Sequence, residues 1–344
     1  MRNGQVRNIA PARQGSEKAD RFTMKKQLNE EIAKRYLVAE QFHLVSPVKI
    51  HEFTDLEDSA ARLIVSHQGP LDLKGLTKLS ENSAQFLSKH KYPLNLSGLK
   101  SLTPELATAL ANHKSGLDLR GVRTLPAAVA RALAGHRGTI NLSGLKTLSQ
   151  ESAEAIAAVK GDLYLRGLSS ISVDVASHLA KHRGVLYLGG LESITPEVAE
   201  ALSKHKGAIG LRGLKTISDE AMEHLARLKG GLHLGGLTHL SDAAARALSK
   251  HKDLIHLGSV TSLSDVAAAY LAAHQGGIHL GGLQELSLVA ARAFGSHQGE
   301  LCLSGLGKIP QKIARELAKH DEVIYYDDPF APQTKVDDDD ADSE

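Results

Sequence analysis

The sequence predicts an α/β curved repeat solenoid, with a parallel sheet on its concave face and short helices on its convex face. Three observations predict it. One motif recurs every 23 residues without insertion or deletion. Each copy joins a segment of period-two apolar alternation to one of helical spacing. A glycine stands between the two in nearly every copy. The units begin at Leu71, Leu94, Leu117, Ile140, Leu163, Leu186, Ile209, Leu232, Ile255, Ile278 and Leu301. A degraded copy precedes them from Val48, so twelve units cover residues 48–323.

The elements follow in order along the unit. Positions 1 and 3 are apolar around a variable residue, as in Leu232-His233-Leu234, which is strand alternation. Position 5 is Gly from Gly75 to Gly305, broken only at Glu52 and Ser259, and marks a tight bend. Positions 6 and 9 return to Leu or Ile. Position 10 is mostly Ser or Thr (Ser80, Thr103, Thr195, Ser241), the residues preferred as helix N-caps. Pro104 and Pro196 follow at the first helical position, where the missing N–H costs nothing. Glu105, Glu151, Asp219 and Asp242 in the first turn complement the helix dipole. Ala at 14, Leu at 17 and a small or apolar residue at 13 form the buried stripe. Gly at 22 (Gly138, Gly184, Gly207, Gly230) is expected to end the helix in a left-handed conformation. Such a unit cannot bury its apolar face alone, so the units must stack. Strands repeat at about 4.8 Å while helices pack at about 8–10 Å, so the stack bends toward its sheet.

The pattern LxLxGLxxLS…A…L at a strict 23 resembles the leucine-rich repeats, above all the bacterial 23-residue class with an alanine in its helical half. It differs from the common pattern in carrying Leu76, Leu99 and Leu237 where an asparagine ladder is usual, with glycine just before. The resemblance implies a binding scaffold and names no ligand.

Composition narrows the rest. Hydrophobic residues make up 42% and aromatics 4%, with no Trp, so the core is aliphatic. A net charge of +2 gives no chain-wide attraction to nucleic acid or to an anionic membrane. The single cysteine, Cys302, excludes an intramolecular disulfide and a multi-cysteine zinc site. No run approaches the roughly 18 apolar residues of a membrane span. The basic N-terminal stretch has no apolar run behind it, unlike a secretory signal. A cytoplasmic location is expected, with export as an effector left open.

Histidine dominates two columns. Position 20 holds His67, His90, His113, His136, His182, His205, His251, His274, His297 and His320; Val159 and Leu228 fill the other two units. Apolar substitutes point to a buried, packed imidazole bonded to a backbone carbonyl, with acid sensing as the weaker reading. Position 2 lies between two inward leucines, so its side chains are expected to project from the concave sheet. That column reads Asp72, Asn95, Asp118, Asn141, Tyr164, Tyr187, Gly210, His233, His256, His279, Cys302. Four imidazole and thiol side chains on adjacent rungs suggest a transition-metal site. Against it, a straight row does not converge tetrahedrally, and no carboxylate at position 2 or 4 lies beside the cluster. His239, at position 8, is expected to be solvated.

Position 4 adds Lys74, Arg120, Arg166 and Arg212 on alternate rungs, explained by duplication of paired units or by repulsion between adjacent like charges. Tyr and Arg are favoured interface anchors. The expected partner-binding surface is therefore Asp118, Arg120, Tyr164, Arg166, Tyr187, Arg212, His233, His256 and His279. Positions 19 and 21 carry Lys89, Lys91, Lys114, Arg137, Lys181, Arg183, Lys204, Lys206, Lys250 and Lys252, a basic ridge at the helix C-termini.

At the ends, residues 1–22 read as a disordered basic segment and 23–47 as a capping helix. Residues 324–344 read as a terminal strand, begun at Val323, followed by a disordered acidic tail that either lies on the basic ridge or is solvated. The favoured function is a non-enzymatic protein-binding scaffold acting through the concave face. No catalytic residue, cofactor or resident metal is expected, and no membrane partner. Two alternatives stand beside it: a polyanion or nucleic-acid binder along the basic ridge, for which aromatic interleaving is sparse, and a metal-binding protein using His233, His256, His279 and Cys302.

Overall fold

A computed structural model describes residues 26–41, 48–307 and 309–320. Eleven two-residue strands, from Leu71–Asp72 to Leu301–Cys302, pair in parallel in strict chain order as one sheet. Each residue stands opposite its counterpart 23 positions on: Leu71 faces Leu94, Tyr164 faces Tyr187, and His233, His256, His279 and Cys302 stand in line. The N–H of position 1 donates to the carbonyl of position 23 of the same unit, the residue just before the next strand, as from Leu71 to Pro93 at 3.0 Å. That of position 3 donates to position 2 of the next rung, as from Leu73 to Asn95 at 2.9 Å. A third bond, from the position-6 N–H to the position-3 carbonyl of the same rung, closes the bend (Leu76 to Leu73, 3.0 Å).

Short helices return the chain on the opposite side, most of seven residues, such as Glu81–Leu87 and Asp242–Leu248. Ser80, Thr103, Thr195 and Ser241 each accept the N–H three residues on, the expected cap. The first-turn acids do more than complement the dipole. The Ser80 hydroxyl donates to Asp58 of the rung before it, and Ser241, Ser264 and Ser287 likewise donate to Asp219, Asp242 and Asp265. One hydroxyl thus caps its own helix and ties two rungs together. Between sheet and helices the aliphatic columns are sealed: Leu186, Leu188, Leu191, Ala199 and Leu202 of one rung are all 0% exposed.

Curvature is written in ring spacing. On the sheet side, Tyr164–Tyr187 and His233–His256 centroids are 4.1 and 4.2 Å apart. At position 20, beyond the helix ends, paired histidine rings stand 5.8 to 6.5 Å apart. The same step between rungs is shorter at the sheet, so the sheet is concave, as the unequal widths of strand and helix require.

The position-22 glycines require a correction. No described glycine lies in the left-handed region, and helix C-caps such as Ser88 (φ −62°, ψ −18°) are right-handed. Glycine is needed there because neighbouring rungs nearly touch: a Cβ on Gly161 would meet the Gly138 backbone at 2.3 Å. Position 5 obeys the same rule, since a Cβ on Gly121 would sit 1.9 Å from the Ser97 carbonyl oxygen. Ser259 stands in that column by turning its hydroxyl onto the Gly235 carbonyl.

The unit from Val48 opens with a 3-10 turn, Ile50–Glu52, in place of a strand. Its bend keeps the common bond, Phe53 N–H to the Ile50 carbonyl at 3.3 Å. Asp55–Leu56 then pairs in parallel with Gln27–Leu28, which precedes a helix at Glu30–Gln41. Tyr36 of that helix packs on His67 at 5.4 Å, closing the histidine column at its first ring. The segments expected at 1–22 and 324–344 lie outside the described residues, as does the strand start at Val323. No helix among the described residues is long and apolar enough to cross a membrane.

Candidate interaction site on the concave face

The concave column divides into three blocks with different chemistry. In the first, Asp72, Asn95, Asp118 and Asn141 are half-buried, and each accepts the position-4 N–H of its own rung at 3.0 to 3.2 Å. These residues shape the strand-to-turn bend, as Asx side chains do in turns. Asp118 also binds Arg120 through Nε at 2.9 Å and a second guanidinium nitrogen at 2.8 Å. Two of the expected contact residues therefore neutralise each other.

In the second block Tyr164 and Tyr187 stack at 4.1 Å with ring planes 13° apart. Arg166 is exposed, its guanidinium carbon 4.9 Å from the Tyr164 ring centre and 5.2 Å from that of Tyr187. One cation is thus held over two π-faces. Burial, with the adjoining Tyr164 hydroxyl, keeps the Tyr187 phenol above its ordinary range, so it stays a protonated donor. The ring has room because the next rung carries Gly210, whose added Cβ would lie 3.0 Å from Tyr187 Cδ1. Arg166 lies beside Gly189 and Arg212 beside Gly235, where an added Cβ would make only ordinary contact with the arginine side chains, at 3.8 and 3.5 Å.

The third block corrects an expectation. His233, His256 and His279 were expected to project as contacts; they are 4%, 3% and 5% exposed, and Cys302 is 4% exposed. On the inside of the bend the rungs are close enough for rings to cover one another. His233 and His256 stack at 4.2 Å, and His279 meets His256 edge-on at 4.2 Å. Burial, with His233, His279 and Arg212 nearby, pushes the His256 imidazole down to about 3. The stacked His233 and His256 rings aim their in-plane lone pairs along nearly parallel lines, which is the wrong geometry for a shared ion. Among the described residues no group of three or more His, Cys, Asp or Glu is placed to hold a metal.

Sequence reasoning missed Glu300, whose Oε1 lies 3.0 Å from His279 Nε2. It comes from position 23, not from 2 or 4. Position 23 directly precedes the next strand, so its side chain stands on the rim of the same face; that adjacency was the available signal.

The position-20 histidines are architecture, and their bonds cross between rungs. His90 Nδ1 meets the Val65 carbonyl at 3.1 Å and its Nε2 the Gly69 carbonyl at 2.9 Å. His251 reaches Ala226 at 3.3 Å and His274 reaches Asp253 at 3.0 Å. Val159 and Leu228 are buried in the same slot, 1% and 3% exposed. His239 is exposed, as expected.

Fold and site together define a repeat solenoid of the leucine-rich type. No protein-family model matches the chain, and no curated protein matches it by sequence. Solved structures do resemble it. A leucine-rich-repeat protein of Leptospira interrogans is similar at a TM-score of 0.47 and 18% identity, over 88% of this chain and 88% of that one. An internalin of Listeria monocytogenes is similar at a TM-score of 0.42 and 13% identity, over 87% and 95%. The yeast Rad7–Elc1 complex contains a third, at 0.40 and 14%, over 83% and 84%.

Proposed function

We propose that the protein is a non-enzymatic scaffold that binds another protein through the middle of its concave face. The observation that carries this reading is the Tyr164–Arg166–Tyr187 cluster, an exposed guanidinium already held over two stacked rings. A partner carboxylate can take the guanidinium edge, while its apolar atoms take the tyrosine faces. Little ordering entropy is lost, because the anchors are pre-positioned. Arg212 extends the surface by one cation. Asp118 and Arg120 flank it as a closed pair that shapes the face, and buried His233, His256 and His279 back it without making the first contact.

The test is affinity capture with the Arg166→Ala, Tyr187→Ala double variant beside the unaltered protein. Loss of a specific captured protein is expected, with an unchanged circular-dichroism spectrum. An identical capture profile from both rejects the site.

A further inference from the structure

Four consecutive rungs carry two cations each at the helix-end ridge: Lys181 and Arg183, Lys204 and Lys206, Arg227 and Lys229, Lys250 and Lys252. All eight are exposed. The buried residue between each pair, His182, His205, Leu228 or His251, fixes the two cations on either side of one inward anchor. Among the described residues only Lys204 of the eight has an ion-pair partner, Glu200 at 3.7 Å. Lys181, Arg183, Lys204 and Lys206 surround an open groove of about 460 Å³, with Ser177 and Ala180. Helix dipoles alone would explain one cation per turn. A doubled row, maintained over four rungs and then stopped, is a linear positive track.

Beyond it, the next two rungs are neutral at the same positions, with Ala273, Gln275, Ser296 and Gln298. The 24 residues after His320 then hold ten carboxylates against one lysine, four of them consecutive at Asp337–Asp340. Ring-to-ring steps from His251 to His320 are 6.0, 6.5 and 5.8 Å, so Lys250 and Lys252 stand three rungs, roughly 18 Å along the ridge, from the last described residue. The chain from 320 to 337 spans at most about 55–60 Å when extended, several times that separation. Reach is therefore not limiting, and tethering supplies a millimolar-scale effective concentration.

We propose that the acidic segment 337–344 docks on the basic track of the protein's own ridge, starting at Lys250 and Lys252 and running toward Lys206.

Zero-length carbodiimide coupling of the full chain, mapped by peptide mass spectrometry, tests this. Asp337–Asp340 should couple to Lys252, Lys250, Lys229 or Lys206 within one molecule, in a yield independent of protein concentration. The yield should fall several-fold at about 0.5 M salt, where the Debye length drops below 5 Å, and on addition of a heparin oligosaccharide. The Lys250→Gln, Lys252→Gln variant should shift coupling to Lys229 and Lys206. Equal coupling to Lys100 and Lys146, coupling only between molecules, or indifference to the double variant would each overturn the proposal.

Discussion

Two histidine columns run along this solenoid, and they solve burial in different ways. At position 20 the rings stand about 6 Å apart, too far to touch face to face, and His90, His182, His205, His251, His274 and His297 are tied to carbonyls of the preceding rung. At position 2 the rings of His233, His256 and His279 stand 4.2 Å apart and shield one another directly. Same residue, same chain, same repeat: the difference is which side of the bend the column occupies. Inside the bend rings replace solvent; outside it the backbone does.

Acid should expose that difference most strongly. Burial lowers the pKa of His136, His182, His205, His251, His274 and His297 below 6.5, and that of His113 to about 4. Folded-state values below the unfolded one mean the unfolded chain takes up protons first. The stability these rings contribute is complete above about pH 6.5 and is lost as pH falls below it, through about 4 for His113. Each contributes a slope of up to about 1.4 kcal/mol per pH unit. Urea unfolding across that window should show a loss of several kcal/mol, reduced when His205 and His251 are both Leu. A flat profile between pH 7 and 4.5 would mean the rings are not buried neutral.

Next in size is deletion of one outer ring. His205→Ala should cost about 2–4 kcal/mol, as a buried cavity does. His205→Leu should cost under about 1.5 kcal/mol, because Leu228 already occupies the equivalent slot. Equal costs for the two in urea melts would show that bonding, not volume, holds the column.

The inner column should be less sensitive. His256→Ala removes a ring covered on both sides and should cost about 1–2 kcal/mol, while His256→Phe should be within about 1 kcal/mol of the unaltered protein. In proton NMR the His256 ring signal should not titrate between pH 7 and 4.5, in keeping with its value of about 3. The smallest effect is expected from Glu300→Gln, about 0.5 kcal/mol in thermal melts, since the amide oxygen still accepts from His279. A loss above 2 kcal/mol there would reveal a charged pair.

Much of this was legible in advance. Leu186, Leu188, Leu191, Ala199 and Leu202 announce their burial by spacing alone, and Val159 and Leu228 betray the nature of position 20. Ser241 as an N-cap is a local signal. Other features were not legible because they depend on the next rung. Gly161 looks like a helix stop and is a point of near-contact. Asp219 looks like a dipole partner and also accepts a hydroxyl from Ser241. His233 looks like a free contact residue because alternation reports direction, not how closely the neighbouring ring will lie.

The sequence by itself determined the period, the face each side chain takes and the identity of its neighbours, because a strict 23 carries every position onto its own copy. Only the tertiary structure decided distance. A bend that shortens the inner step and lengthens the outer one turns one row of histidines into a closed stack and another into a series of backbone ties. It leaves Tyr164, Arg166 and Tyr187 as the built, open cluster on the inner face, where Gly210 on the following rung makes room for the Tyr187 ring.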